Sequence, residues 1–470
     1  MGSTRFADGS NFHIVLFPFM SKGHTIPLLH FAKILLRRSA AVTFVTTPAN
    51  RPFITHSLAD TAATIATLPF LSSPDIPASI ESTDKLPSMS LFFQFALSTS
   101  SMQAPFEQLL QTLPRVSFMV TDAFLWWTLH SANKFSIPRF AHFGMSCYSV
   151  SLHLEARIQG ILSGAQPENE LNTLTRFPWI KLSKEDFDAD LRKQNPNTPE
   201  HHFFANFSPT IPQSYGILVN SFYELEPTFV DHVNTHYSPK SWCVGPFCFA
   251  ETTSSRKVDD SVKPNWMMWL DKRGREKRGV VYVAFGSQAE ISREQVEEIA
   301  IGLEESRVCF LWVIRKEEWG LAEGFEERVK ERGVVVREWV DQREILRHES
   351  VEGFVSHCGW NSVLESVCCG VPIVAWPMMA EQFLNARMVE EELGVGLRVE
   401  RGDGFVKREE VRKKVRELME GEKGTRVREK VRELADEARK AVEEGGSSWC
   451  TLNALLHHTR QYCHQKETEH

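Results

Sequence analysis

Apolar positions come in short unbroken runs that alternate with stretches spaced like one helix face. His13-Ile14-Val15-Leu16-Phe17-Pro18 is followed by a small-residue loop and then by Thr25-Ile26-Pro27-Leu28-Leu29-His30-Phe31-Ala32-Lys33-Ile34-Leu35-Leu36. A continuous run leading into helical spacing predicts strand, loop, helix. The β-branched run Val42-Thr43-Phe44-Val45-Thr46 then completes a βαβ unit, which requires a parallel sheet and a right-handed crossover. Further buried strands are expected at 117–121, 139–143 and 216–221.

The polar, aperiodic segment 250–261 interrupts this alternation and predicts a surface linker. Beyond it the pattern restarts. Strands are expected at 280–285, 310–314, 334–336, 353–356 and 372–376, with helices from about 293 to 305, from about 361 and from about 381. The mixed-charge stretch 407–444 predicts helix. Two successive βαβ-type halves predict an α/β protein of two Rossmann-like domains with parallel sheets facing a central cleft, ligand loops lying at the carboxyl ends of the strands. The expected boundaries are 1–250, 251–450, and a C-terminal helix at 451–470 packing back on the first domain.

Charge sharpens this division. Residues 1–250 hold 17 basic and 18 acidic side chains and residues 251–470 hold 36 and 42, so charge is more than twice as dense in the second half. The net charge of −7 excludes a basic nucleic-acid binder as the first reading. A hydrophobic content of 42% excludes disorder. No apolar run approaches the roughly 18–20 residues that cross a bilayer, and the N-terminus lacks the basic and apolar regions of a signal peptide. A cytoplasmic monomer is expected. Nine scattered cysteines fit buried free thiols better than a disulfide framework. Cys243 and Cys248 form one isolated pair, too few for a zinc site.

The densest polar cluster is Ser356-His357-Cys358-Gly359-Trp360-Asn361-Ser362, between an expected strand and an expected helix. Helix N-terminal amides, a glycine that permits close approach, and Asn and Ser donors make a cradle for a diphosphate. From these residues alone, an ordinary helix cap by Asn361 or Ser362 accounts for the cluster equally well.

The surroundings break the tie. Trp339-Val340-Asp341-Gln342, Ile345-Leu346-Arg347-His348, the His-Cys-Gly-Trp-Asn-Ser core, Glu365, Gly370-Val371-Pro372, Trp376-Pro377 and Glu381-Gln382 together resemble the signature box of plant family 1 UDP-glycosyltransferases. The family's layout covers essentially the whole chain. The resemblance implies the GT-B fold and a UDP-sugar, most simply UDP-glucose, as donor co-substrate, with no permanently bound cofactor and no metal. Trp339 would stack on uracil, a contact worth roughly 1–3 kcal/mol, and the Val340 backbone would read the uracil edge. Gln342 and Glu365 would bind the ribose hydroxyls. His357, Asn361 and Ser362 would hold the phosphates, assisted by Gly359, Trp360 and Ser287, while Glu381 and Gln382 would bind the sugar. Asp341 stands where Pro is more usual, which alters loop stiffness and removes no expected ligand contact. His348 is expected to be structural.

The same resemblance makes His24, where the first strand meets its helix, the general base. A neutral imidazole can accept a proton from a phenol or alcohol. Asp122, ending a buried strand, would fix its tautomer. The implied reaction is an inverting displacement of UDP by a small-molecule acceptor, a plant phenolic or flavonoid-like compound. Candidate acceptor-pocket residues are Leu91, Phe92, Phe93, Phe124, Met145 and a Phe203-Phe204 loop, all equally explicable as core. Asp186-Phe187-Asp188 contains the Asp-x-Asp pattern that carries a metal in another glycosyltransferase fold. Beside Lys181, Lys184, Arg192 and Lys193, it is expected instead to be a solvated charged face. A sugar-nucleotide binder without turnover is the alternative. A dinucleotide-dependent oxidoreductase is disfavoured because Gly394-Val395-Gly396 has Val399 where a third glycine is needed.

Overall fold

The β-branched runs pair into two parallel sheets, each buried on both faces. A computed structural model describes residues 12–70, 76–77, 79–164, 167–189, 195–250, 263–314, 320–400 and 404–468. The expected linker, and Arg192 and Lys193, lie outside the described residues, apart from Ala250.

The chain divides into two compact units. The first comprises Met1–Glu185, Ala189–Thr252 and Lys440–His470, and the second Asp186–Asp188 and Thr253–Arg439. In the first unit the strands are β1 (His13–Phe17), β2 (Ala41–Thr46), β3 (Thr64–Thr67), β4 (Phe118–Asp122) and β5 (Arg139–Phe143), then β6 (Asn172–Thr173) and β7 (Lys181–Leu182), a small antiparallel pair, and β8 (Gly216–Val219) and β9 (Ser241–Cys243). Seven form one sheet in the order β3-β2-β1-β4-β5-β8-β9, every pairing parallel. Side chains alternate between its faces. Ile14, Leu16, Val42, Phe118, Val120 and Phe140 join one core, and Val15, Phe17, Val45 and Met119 the other.

Helix Ser447–Thr468 closes the first of these cores with Leu452, Leu455 and Leu456. Its His458 Nδ1 lies 2.7 Å from the Tyr215 hydroxyl.

The second unit repeats the plan. Its strands are β10 (Val280–Ala284), β11 (Cys309–Val313), β12 (Gly333–Val336), β13 (Val351–Ser356), β14 (Ile373–Ala375) and β15 (Gly396–Arg398). They form a parallel sheet in the order β12-β11-β10-β13-β14-β15. Val281, Val283, Phe310 and Trp312 face one core, and Val280, Tyr282, Cys309 and Leu311 the other. The charge-dense stretch becomes two helices, Arg408–Glu420 and Glu422–Val442.

Each sheet reverses direction of growth once, between β1 and β4 in the first unit and between β10 and β13 in the second. Loops leaving neighbouring strands at such a switch point diverge to opposite faces and leave a crevice for a ligand. All nine cysteines are reduced thiols. No described helix is long and apolar enough to cross a membrane.

Candidate active site

In the first unit the switch point carries His24 and Asp122. β1 ends at Phe17, and helix Lys22–Arg37 starts after the N-cap Ser21, which places His24 in its first turn. β4 ends on Asp122. The two strand ends bring His24 Nδ1 within 2.7 Å of Asp122 Oδ2, with side-chain exposures of 21% and 1%. Asp122 Oδ1 accepts the Phe124 N–H at 2.9 Å. Both carboxylate oxygens are therefore engaged. Burial by itself would raise the Asp122 pKa, but the charge and hydrogen bond of His24, the nearby His142 and the Phe124 amide outweigh it and hold the carboxyl below its usual value.

Sequence reasoning missed two residues behind this pair. Arg139, 1% exposed, donates from Nε to Thr121 Oγ1 at 2.8 Å, from Nη1 to Ser214 Oγ at 2.8 Å and from Nη2 to the Asp122 carbonyl at 3.3 Å. Burial lowers its pKa to about 10, opposed by the Asp122 charge. His142 pairs in register with Asp122 and donates Nδ1–H to the Leu218 carbonyl at 3.0 Å. Burial pushes its pKa down. The available signal was two polar residues in the otherwise apolar run Arg-Phe-Ala-His-Phe.

Two aromatic rings pack against His24. Phe124 lies 5.1 Å and Phe19 5.5 Å from its ring. Phe92 packs on Phe19, Phe93 and Phe124, and Phe93 reaches Phe203 and Phe204. Leu91 is partly buried against the same cluster. Phe203 and Phe204 lie in helix Pro199–Phe207, not in a loop as expected, and Phe203 is fully buried core. Met145 is partly buried on the loop after β5, beside Ser146, the N-cap of helix Cys147–Ile158.

At the second unit's switch point, the loop after β10 carries Gly286-Ser287 and the loop after β13 carries His357-Cys358-Gly359. Gly286 has φ +76°. A Cβ there would stand 2.7 Å from His357 Nε2, and one at Gly359 would stand 2.6 Å from it, so two glycines flank the imidazole. Cys358 takes φ +63°, with its amide on Ser356 Oγ at 3.1 Å. Burial pushes its thiol up to about 12, so it stays a neutral packing group. Gly359 is the N-cap of helix Trp360–Cys369 and offers no side-chain acceptor. The amides of the first turn thus form the positive end of a helix dipole beside Ser287 and His357. Trp360 is 1% exposed, which buries its indole in the core and leaves only its backbone for a phosphate.

Gln342 Nε2 donates to Ser362 Oγ at 3.0 Å and to Glu365 Oε2 at 2.8 Å, joining three expected ligand groups into one network. Burial pushes the Glu365 carboxyl up to about 7 despite the Gln342 hydrogen bond. The Trp339 indole is 55% exposed, and Val340 beside it is partly buried. Asp341 caps helix Gln342–Leu346 through the Arg343 amide and pairs with Arg343 Nη2 at 2.7 Å. His348 is held by Asp271 and Ser350. Glu381 is partly exposed. Gln382 is buried, its Oε1 accepting the Met378 and Met379 amides at 3.0 and 3.1 Å, so its carbonyl braces its own loop and only Nε2 could reach a sugar. Asn385, which the sequence did not single out, donates to the Cys358 carbonyl at 2.9 Å and to Glu381 Oε1 at 3.4 Å.

The Asp-x-Asp pattern is not a solvated face. Asp186 is engaged by Arg387, and Asp188 accepts the Ala380 amide. Among the described residues no group of three or more His, Cys, Asp or Glu is placed to hold a metal ion.

Twin Rossmann-like units, each a parallel sheet with one switch point and the second opening on the N-terminus of helix Trp360–Cys369, are the architecture of the GT-B class of glycosyltransferases. Residues 260–425 match the UDP-glucoronosyl and UDP-glucosyl transferase family, and residues 10–248 match the glycosyltransferase N-terminal domain. The chain is 49% identical to UDP-glycosyltransferase 90A1 of Arabidopsis thaliana, across 97% of each protein. It is 35% identical to UDP-glucose flavonoid 3-O-glucosyltransferase 7 of Fragaria ananassa, across 94% of this chain and 95% of that protein. The structure of Phytolacca americana UGT2 complexed with UDP-2fluoro-glucose and pterostilbene superposes with a TM-score of 0.81 at 29% identity, covering 96% of this chain and 100% of that one. The chain belongs to the plant family 1 UDP-glycosyltransferases. It transfers a sugar from a UDP-sugar co-substrate to a small-molecule acceptor.

Proposed function

We propose that the enzyme transfers glucose from UDP-glucose, with inversion, to a hydroxyl of a planar phenolic or flavonoid-like acceptor. His24 is the base and Asp122 its orienting partner. The 2.7 Å contact between His24 Nδ1 and Asp122 Oδ2 carries this reading. An ionised Asp122 takes the Nδ1–H, which fixes the tautomer whose Nε2 lone pair can accept from the acceptor hydroxyl. As Nε2 takes that proton, the acceptor oxygen forms its bond to the anomeric carbon and the bond from that carbon to the phosphate oxygen breaks. UDP departs with the electron pair. Asp122 stabilises the imidazolium until its proton passes to solvent. One displacement at one carbon gives inversion.

The donor is held in the second unit. Trp339 stacks on the uracil and the Val340 backbone reads its edge, while Gln342 and Glu365 meet the ribose. Ser287, His357, Asn361, Ser362 and the amides of Gly359 and Trp360 take the diphosphate, whose charge the helix N-terminus favours. Glu381 and the Gln382 Nε2 meet the sugar. The flavonoid named for the Fragaria relative and the ring cluster of Phe19, Phe92, Phe93 and Phe124 beside His24 support an aromatic acceptor.

Mass spectrometry of products from a panel of phenolics with UDP-glucose tests the substrate reading; products only with other donors or with non-aromatic acceptors would overturn it. His24→Ala should abolish turnover while leaving UDP binding intact. Unchanged turnover would remove His24 as base.

A further inference from the structure

The pattern Asp186-Phe187-Asp188 has no part in the reaction just described, yet the structure sets it against the segment that meets the donor sugar. These three residues lie far upstream of the rest of the second unit in sequence and nevertheless belong to it. Phe187 is buried. On one side of it both oxygens of Asp186 accept from Arg387 Nη1, at 3.0 Å each, in helix Gln382–Arg387. Arg387 Nη2 is held in turn by Glu391 at 2.7 Å. On the other side Asp188 Oδ2 accepts the Ala380 N–H at 2.5 Å.

Ala380 is the residue before Glu381 and has φ +52°, the left-handed region, which is strained for any residue with a Cβ. The amides of Met378 and Met379 are both taken by Gln382 Oε1. Three consecutive amides are therefore pinned by side-chain oxygens, the first two by Gln382 Oε1 and the third by Asp188 Oδ2. Asn385 donates to Glu381 Oε1 at 3.4 Å and to the Cys358 carbonyl at 2.9 Å, linking Glu381 to the phosphate-side loop.

We infer that Asp188, anchored by the Asp186–Arg387 ion pair, is a positioning residue for the donor sugar. It holds Ala380 in the left-handed turn that presents Glu381 to the sugar hydroxyls and so sets discrimination between sugar epimers. The inference rests on the reading of Glu381 as a sugar contact. Without Asp188 the strained turn relaxes, Glu381 loses its register, and the uracil, ribose and diphosphate contacts, all made elsewhere, stay as they are.

The test compares Asp188→Ala, Asp188→Asn and Glu381→Ala in the full-length enzyme. Asp188→Ala should raise KM for UDP-glucose by about tenfold, the worth of one charge-assisted hydrogen bond, and narrow the preference between UDP-glucose and UDP-galactose by a similar factor. The Kd of UDP, which carries no sugar, should not change. Asp188→Asn should restore part of the loss, because its neutral amide oxygen accepts the same N–H more weakly. Equal weakening of UDP and UDP-glucose, or a fall in Tm with donor preference intact, would overturn the inference and leave Asp188 a structural group. If Glu381→Ala raises KM for UDP-glucose and Asp188→Ala does not, the inference fails alone. If neither does, the reading of Glu381 fails with it.

Discussion

Asp122→Asn removes a charge and almost no volume, and its effect is set by the hydrogen bonds around Asp122. Both carboxylate oxygens accept, one from His24 Nδ1 and one from the Phe124 amide; asparagine has a single acceptor oxygen. Turned toward the rigid Phe124 amide, that oxygen leaves the NH2 facing His24 Nδ1, which must then accept, so the ring proton moves to Nε2 and the imidazole can no longer take a proton from the acceptor. Turned toward His24, it preserves the competent tautomer but sets the NH2 against the partly buried Phe124 N–H, leaving two donors unmet. At about 1–3 kcal/mol for each unmet buried donor, reaching the competent state costs about 2–6 kcal/mol. That corresponds to a loss in kcat of roughly 30-fold to 2 × 10⁴-fold, to which the missing charge beside the imidazolium adds in the same direction. Steady-state rates with saturating UDP-glucose, alongside calorimetric UDP binding, provide the assay, and UDP binding should not change. An acceptor whose hydroxyl is already ionised at the assay pH needs no base and should lose far less. A variant that kept kcat within about threefold on a protonated acceptor would refute the tautomer argument.

Two further changes probe the donor side and the core. Trp339→Ala should weaken UDP binding by roughly 1–3 kcal/mol, about 5- to 150-fold, with a smaller effect on kcat; an unaltered Kd would mean that the exposed indole does not carry the base. Glu226, buried against Ser221 and the Tyr148 amide, has its pKa pushed by burial from an ordinary 4.5 up to about 7. Between those values the folded state keeps a proton that the unfolded state has lost, so this group's contribution to stability falls by about 3 kcal/mol as pH rises through the window, and levels off above it. Glu226→Gln lacks that slope and should gain Tm relative to wild type above pH 7 compared with pH 4.5. A difference in Tm that does not vary with pH would remove the buried ionisation from the account.

How much of this was legible in the sequence depends on the range of the interactions involved. Short apolar runs marked β2, β10 and β11 to within a residue, since a strand buried on both faces is written as a continuous local stretch. The loops carrying Ser287 and His357 were legible as loops because they occupy a fixed place, the carboxyl end of a strand. Asn385 and Arg139 were not, because each matters through partners brought close only by the tertiary fold. Asp186 and Asp188 looked like solvated charge for the same reason: Arg387, which pairs with the first, and the Ala380 amide, which donates to the second, lie some two hundred residues downstream. Helix Pro199–Phe207 was hidden by the Pro-rich stretch before it, where Pro199 in fact opens the helix after the N-cap Thr198.

The terminal helix also has a practical bearing on engineering. Because residues 440–470 complete the hydrophobic core that β1 begins, the first unit is not a contiguous stretch of the gene. A chimaera that exchanges only the first 250 residues with a relative would seat a foreign sheet on the host's Leu452, Leu455 and Leu456, a mismatched core that costs stability without touching either substrate. Grafts of the first unit should carry the last thirty-one residues along with the first half. During synthesis, likewise, the half that emerges first cannot finish packing until the ribosome has released the last.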